Sequence, residues 1–194
     1  MVMNYSELKN KVLAEINESL SSFNETNIDN FVNELINKKN SNIVAYGAGR
    51  MGYGIRAFIM RLMHLGYNAY WYGDTTIPHL EQNDLFIFAS ASGKTESIVK
   101  IAEIAKKKTG VYIASLTGDV ESPLAQLSDL VIKFKGCNNG LNSENSPDKI
   151  TSIQPMTTLN EQSAFIFFDL VSLKLMERLN EDNKTMSFRH NAIE

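Results

Sequence analysis

Leu85-Phe86-Ile87-Phe88-Ala89-Ser90-Ala91-Ser92-Gly93-Lys94-Thr95-Glu96-Ser97 is an apolar run that passes directly into small and hydroxyl-bearing residues and then into a segment of helical period. An apolar run without alternation marks a strand buried on both faces, and therefore a parallel sheet covered by helices on each side. Ser90, Ser92 and Thr95 then converge on a helix N-terminus. N–H groups of a first helical turn lack intrahelical partners and favour a phosphate, to which Ser and Thr hydroxyls add neutral donors. An ordinary N-cap accounts for one hydroxyl. Three, with Gly93 and Lys94 among them, point to a cradle for a phosphomonoester. The loop is not of the Walker A type, because the four residues between Gly and Gly-Lys are missing.

The same rhythm extends on either side. Strands are predicted at Ile43 to Tyr46, Ala69 to Tyr72, Leu85 to Ala89, Val111 to Leu116 and Leu130 to Phe134. Helices at 51–65, 95–108 and 122–127 alternate with them, which is the pattern of right-handed β-α-β units. Upstream, Leu8, Val12, Ile16 and Leu20 form one helical stripe and Ile28, Phe31, Val32, Leu35 and Ile36 a second, so residues 1–40 are expected to pack as a helical hairpin. Downstream, residues 157–180 form a long helix apolar nearly all the way round, followed by a tail to 194. Such a helix is either central to the monomer or partly buried against another subunit. Residues 135–156 show neither period; a stretch of about twenty such residues is usually a lid or disordered. One domain over 1–194 is the expectation.

Composition narrows the function classes. The 194 residues are 43% hydrophobic and carry a net charge of -3, from 19 basic and 22 acidic side chains, so no basic surface is offered to nucleic acid or anionic lipid. Phosphate must be held locally. The single Cys137 excludes an internal disulfide and suits a reducing cytoplasm, its bystander role in a polar loop being the simplest reading. Met1 to Tyr5 lacks a signal-peptide pattern, and Ala164 to Met176 is too short and too interrupted to span about 30 Å of hydrocarbon. A cytoplasmic location without membrane partners is expected. No His, Cys, Asp or Glu cluster has metal-ligand spacing.

After the first strand, Gly47-Ala48-Gly49-Arg50-Met51-Gly52 matches G-x-G-x-x-G, and Asp74 follows near the end of the second strand, as in dinucleotide-binding proteins. The same glycines serve any tight turn above a buried strand. Both readings stand on these residues alone, although NAD binding leaves the Ser90/Ser92/Thr95 loop unexplained.

A glycine loop after the first strand and a Ser/Thr loop after the third together resemble the sugar isomerase (SIS) domain. Three further stretches are similar to 6-phospho-3-hexuloisomerases: Ser152-Ile153-Gln154-Pro155-Met156-Thr157-Thr158-Leu159-Asn160-Glu161-Gln162, Ala57-Phe58-Ile59-Met60-Arg61-Leu62-Met63-His64-Leu65-Gly66, and the ending Arg189-His190-Asn191-Ala192-Ile193-Glu194. The resemblance implies an α/β/α sandwich with a five-stranded parallel sheet in flavodoxin-like order 2-1-3-4-5. It implies interconversion of 3-hexulose 6-phosphate and fructose 6-phosphate in formaldehyde assimilation, a homotetramer, and no metal or organic cofactor.

By that resemblance Glu161 is the base that moves a proton between C2 and C3 of an enediolate, and His190 is a proton-transfer residue, entering the cleft of a neighbouring subunit. Glu161 is otherwise a capping-box residue with Thr158 three positions before it, and His190 otherwise a frayed tail residue. Gly47, Gly49, Arg50 and Thr158 are assigned to substrate, Arg50 alternatively being a solvated loop charge. His64 is expected to be packed, and His79, after Pro78, to line the mouth of the site. The chain departs from the family at Met51, usually Ser, at Ala91 and Thr157, usually Gly, and at Lys94, usually Glu. Met51 removes a hydroxyl from the first loop, which leaves room for another substrate, such as an arabinose or heptose phosphate. A non-catalytic phosphosugar sensor is the third reading, although no DNA-reading segment accompanies the domain.

Overall fold

The computed structural model describes residues 2–137 and 148–193, and builds the apolar runs into one parallel sheet. Its strands are β1 (Asn42–Gly47), β2 (Asn68–Trp71), β3 (Leu85–Ala89), β4 (Tyr112–Thr117) and β5 (Leu130–Lys133), in the order β2-β1-β3-β4-β5. Between them run α3 (Gly49–His64), α4 (Glu96–Thr109) and α5 (Pro123–Leu127). The chain opens with α1 (Tyr5–Leu20) and α2 (Glu25–Asn37) and closes with α6 (Thr158–Leu179) and α7 (Asn183–Phe188).

Strand periodicity sorts the core into two layers. Ile43, Ala45, Leu85, Ile87 and Ala89 face α2, α3 and α6 through Phe31, Phe58, Phe167 and Phe168. Val44, Phe86 and Phe88 face α4 and α5 through Ile98, Ala102 and Leu124. This is the three-layer sandwich and strand order that the resemblance implied. Among the described residues no helix is long and apolar enough to cross a membrane.

Three features differ from the sequence reading. The α1 stripe is only partly covered: Leu8 is exposed, Val12, Ile16 and Leu20 are half-buried, and Ser19 is the helix's one buried residue. Periodicity reports amphipathicity and not what covers it. The long helix is not central to the monomer: α6 buries Phe167, Phe168, Val171 and Leu175 but leaves Phe165 42%, Leu170 46% and Leu173 59% exposed. α7 has no counterpart among the expected elements, because six residues are too few to show a period; its signal was Asp182 and Thr185, which form a capping box. The segment expected as a lid falls partly outside the described residues, at 138–147. From 148 to 156 it contains no helix or strand, and Glu15 of α1 holds it by accepting from Ser152 Oγ at 2.7 Å, Ile153 N at 2.9 Å and Gln154 Nε2 at 3.0 Å.

Candidate active site

β1 and β3 end side by side, with Gly47 opposite Ala89. From this pair the chain leaves in opposite directions, to α3 on one face and α4 on the other, and such a switch point opens a crevice in any doubly wound sheet. The N-terminal turn of α6 closes the third side. The resulting cleft, about 190 Å³, is lined by Ala48, Met51, Ser90, Ser92, Thr95, Thr157 and Glu161, among others.

Ala48, Thr95 and Thr157 are the N-caps of α3, α4 and α6, and none of them makes a side-chain capping bond. α1, α2, α5 and α7 are all capped by side chains, those of Asn4, Asn24, Ser122 and Asp182. The uncapped N-termini meet in one cleft, where donors and positive dipole ends add for an anion.

The Ser/Thr loop leads from β3 into α4. Ser90 Oγ lies 3.1 Å from Thr95 Oγ1 and accepts from Gly93 N at 3.2 Å, while Ser92 Oγ accepts from Lys94 N at 3.2 Å. Gly93 acts through conformation: its φ is 61°, and a Cβ there would overlap the Ser122 side chain. Lys94 is turned away from the cleft toward Asp119, at 2.9 Å. That contact holds the Asp119 carboxyl below its usual range, the Lys94 hydrogen bond being the main cause.

On the opposite wall Glu161, with a side chain only 13% exposed, accepts from Arg50 Nη1 at 2.6 Å through Oε2 and from Thr157 Oγ1 at 2.6 Å through Oε1. The capping-box alternative is thereby overturned. α6 begins one residue earlier than that pairing requires, with Thr157 rather than Thr158 as its N-cap, and the Glu161 carboxylate turns to Arg50 and Thr157 instead of the helix's own N–H groups. Arg50, read alternatively as a solvated charge, is tied to Glu161. Thr158 is the first residue of α6 and does not line the cleft; Thr157 does.

In the first loop, Gly49 opens α3 at φ 56°, and Gly52 packs so closely on the Gly47 carbonyl that a Cβ has no room. The glycine spacing is therefore accounted for by packing. Asp74 pairs with Arg56 at 3.7 Å.

The histidines are distributed differently from the expectation. His64 is buried, as expected, and His190 stacks on it with ring centroids 5.0 Å apart. The two share a hollow between α3, α6 and α7 with Arg61, Asp169 and Leu173, separate from the Glu161 cleft. His79 does not line the mouth of the site: it lies with Ile104, Lys108 and Thr109, at the end of α4 opposite Thr95. Cys137, expected in a polar loop, is buried between Ile150 and Leu159, and burial pushes its thiol up. Among the described residues no group of three or more His, Cys, Asp and Glu is placed to hold a metal ion.

Comparison with known proteins follows the same geometry. The family model for the SIS domain matches residues 34–138, from α2 through all five strands. This chain belongs to the SIS domain family. The 3-hexulose-6-phosphate isomerase of Bacillus subtilis (strain 168) is 34% identical over 192 residues, covering 99% of this chain and 100% of that protein. A protein of the same description from Methanocaldococcus jannaschii is 37% identical over 165 residues, covering 84% and 82%. Among solved structures, a hypothetical protein from Methanococcus jannaschii, for which a molecular function of 3-hexulose-6-phosphate isomerase was inferred, superposes with a TM-score of 0.77 at 34% identity, covering 96% of this chain and 98% of that one.

Proposed function

We propose that this SIS-domain protein is a sugar-phosphate isomerase, and that its reaction interconverts 3-hexulose 6-phosphate and fructose 6-phosphate. One observation carries the reading: a carboxylate held by two donors, Glu161, faces the Ser90/Ser92/Thr95 loop across a cleft into which uncapped helix N-termini open. The phosphate is assigned to that loop and to the first-turn N–H groups of α4. Glu161 takes the proton from C2, and the C–H electron pair becomes the C2=C3 bond as the C3 carbonyl π electrons move onto O3. The same carboxyl returns the proton at C3 while the O2 hydroxyl proton passes to O3, directly or by exchange with water, so that the C2 carbonyl and the C3 hydroxyl form together. No electron leaves the substrate, so the step needs no redox partner.

The homologous isomerases support the choice of sugar. Met51 on the cleft wall, in place of the family's Ser, favours testing arabinose and heptose phosphates beside it. His190 is assigned to the cleft of a neighbouring subunit, because it lies beside the exposed Leu173 on the uncovered face of α6. The functional unit in this reading is a homotetramer in the cytoplasm.

The test is a coupled assay of purified protein that follows fructose 6-phosphate formation. Turnover is expected with 3-hexulose 6-phosphate, and Glu161→Gln should lower kcat at least about a hundredfold, the scale of a lost general base. Phosphate protection against thermal unfolding should survive the substitution. Near-normal turnover by Glu161→Gln would refute the assignment of the base, and turnover only of another sugar phosphate would refute that of the sugar.

A further inference from the structure

Both oxygens of the Glu161 carboxylate are engaged, by donors of different kinds. Arg50 reaches Oε2 from α3 on a long side chain that is 54% exposed. Thr157 reaches Oε1 from the same helical turn as Glu161 itself, four residues before it, with a single rotatable bond between backbone and hydroxyl. A carboxylate oxygen has two lone pairs, and the one that takes the proton must face the substrate, so a donor on that side has to give way during turnover. The exposed, flexible contact from another element is the one free to open, and an anionic substrate entering the cleft offers Arg50 a new partner. The intrahelical contact stays.

We propose that Thr157 is a positioning residue for the proton transfer: its hydroxyl holds Oε1 so that Oε2 is the atom that takes and returns the proton. The hydroxyl is free for this task because Thr157, although it is the N-cap of α6, makes no capping bond. An ionised carboxylate has no proton to donate, so Thr157 is the donor. Its one-turn tether removes rotamer freedom from the Glu161 side chain, which must present one oxygen to two adjacent carbons in succession. The family pattern has Gly at this position, so the contact is a feature of this chain. The inference rests on the proposed role of Glu161.

Thr157→Val keeps the shape and removes the hydroxyl, Thr157→Ser keeps the hydroxyl, and Thr157→Ala separates a packing fault peculiar to valine. Assayed with 3-hexulose 6-phosphate, Thr157→Val and Thr157→Ala should lose about tenfold or more in kcat, with KM within about twofold of the parent. Thr157→Ser should recover most of the loss, and melting temperatures should stay together. Parental kcat in Thr157→Val and Thr157→Ala, a loss that serine does not recover, or a loss confined to KM would overturn the inference. Glu161→Gln assayed in parallel separates the two ideas. If it collapses while the Thr157 variants stay normal, only Thr157 is misassigned; if it turns over normally, or if no sugar phosphate is isomerised, both fall.

Discussion

Thr157 and Thr158 differ by one position and by about 100° around the helix axis, since an α-helix turns once every 3.6 residues. That rotation puts the Thr157 hydroxyl on Glu161 and leaves Thr158 off the cleft. The motif pattern identified the neighbourhood but not the face. Gly93 is the converse case, in which the sequence named the residue and the structure altered its role. Its N–H is spent on Ser90, and its contribution is a backbone at φ 61° packed against Ser122. Gly93→Ala should therefore destabilise the protein by about 2 kcal/mol or more through strain and overlap. The melting temperature should fall by roughly 4–8 °C for a chain of this size; a fall of less than a degree in a thermal scan would show that the loop has room for a Cβ.

Helices α1 and α6 show how elements distant in sequence support the cleft. Ser19 of α1 donates to the Lys135 carbonyl, and Glu15 gathers the chain from Ser152 to Gln154, which feeds directly into Thr157 and α6. Burial works to raise the Glu15 carboxyl, yet the donors from Ile153, Ser152 and Gln154 outweigh it, and its pKa lies below the ordinary 4.5. A carboxyl lowered by folding contributes stability above its unfolded value and loses that contribution as pH falls through the folded one. Glu15→Gln should thus melt lower than the parent at neutral pH, by roughly 2–4 °C if the lost bonds amount to about 1 kcal/mol. The difference should close as pH drops below about 4.5, where the parent's carboxyl takes up its proton. Melting curves of both proteins against pH provide the check, and a gap that stays constant into acid would remove Glu15 as the tether. Nothing near Glu15 in sequence identifies its partners, which lie more than a hundred residues downstream.

Viewed as a whole, the chain leaves apolar surface without a partner. Phe165, Leu170 and Leu173 on α6 are exposed together with Tyr53 and Met60 on α3 and Leu8 and Leu13 on α1. Exposed apolar residues of this kind would be covered in the proposed oligomer. Leu173→Glu should shift sedimentation toward the monomer, and unchanged sedimentation would place the interface elsewhere. Arg189 anchors the tail beside this face through Glu181, at 3.0 and 2.9 Å, and the His64 carbonyl, at 3.0 Å. That anchor presents His190 on an ordered segment. If His190 serves a neighbouring cleft, co-refolding equal amounts of Glu161→Gln and His190→Ala should restore activity that neither has alone, up to about a quarter of the parental rate for random assembly. No recovery on mixing would return His190 to its own subunit.

Apolar runs without alternation, glycines at strand ends and hydroxyls before a helix are local features, and they mark strands buried on both faces and a hydroxyl-rich helix N-terminus wherever they occur. The buried strands and the loop of Ser90, Ser92 and Thr95 were legible for that reason, whereas the strand order and the candidacy of Glu161 came from the resemblance to the sugar isomerase family. Distances between residues far apart in the chain are not encoded in spacing. Packing alone brought the uncapped ends of α3, α4 and α6 to one point. It drew Arg50 onto Glu161 across 111 positions, turned Lys94 to Asp119, and seated His190 on His64. Each of those pairings depends on which face of a helix meets its neighbour, and that is settled only when the apolar faces close on the sheet.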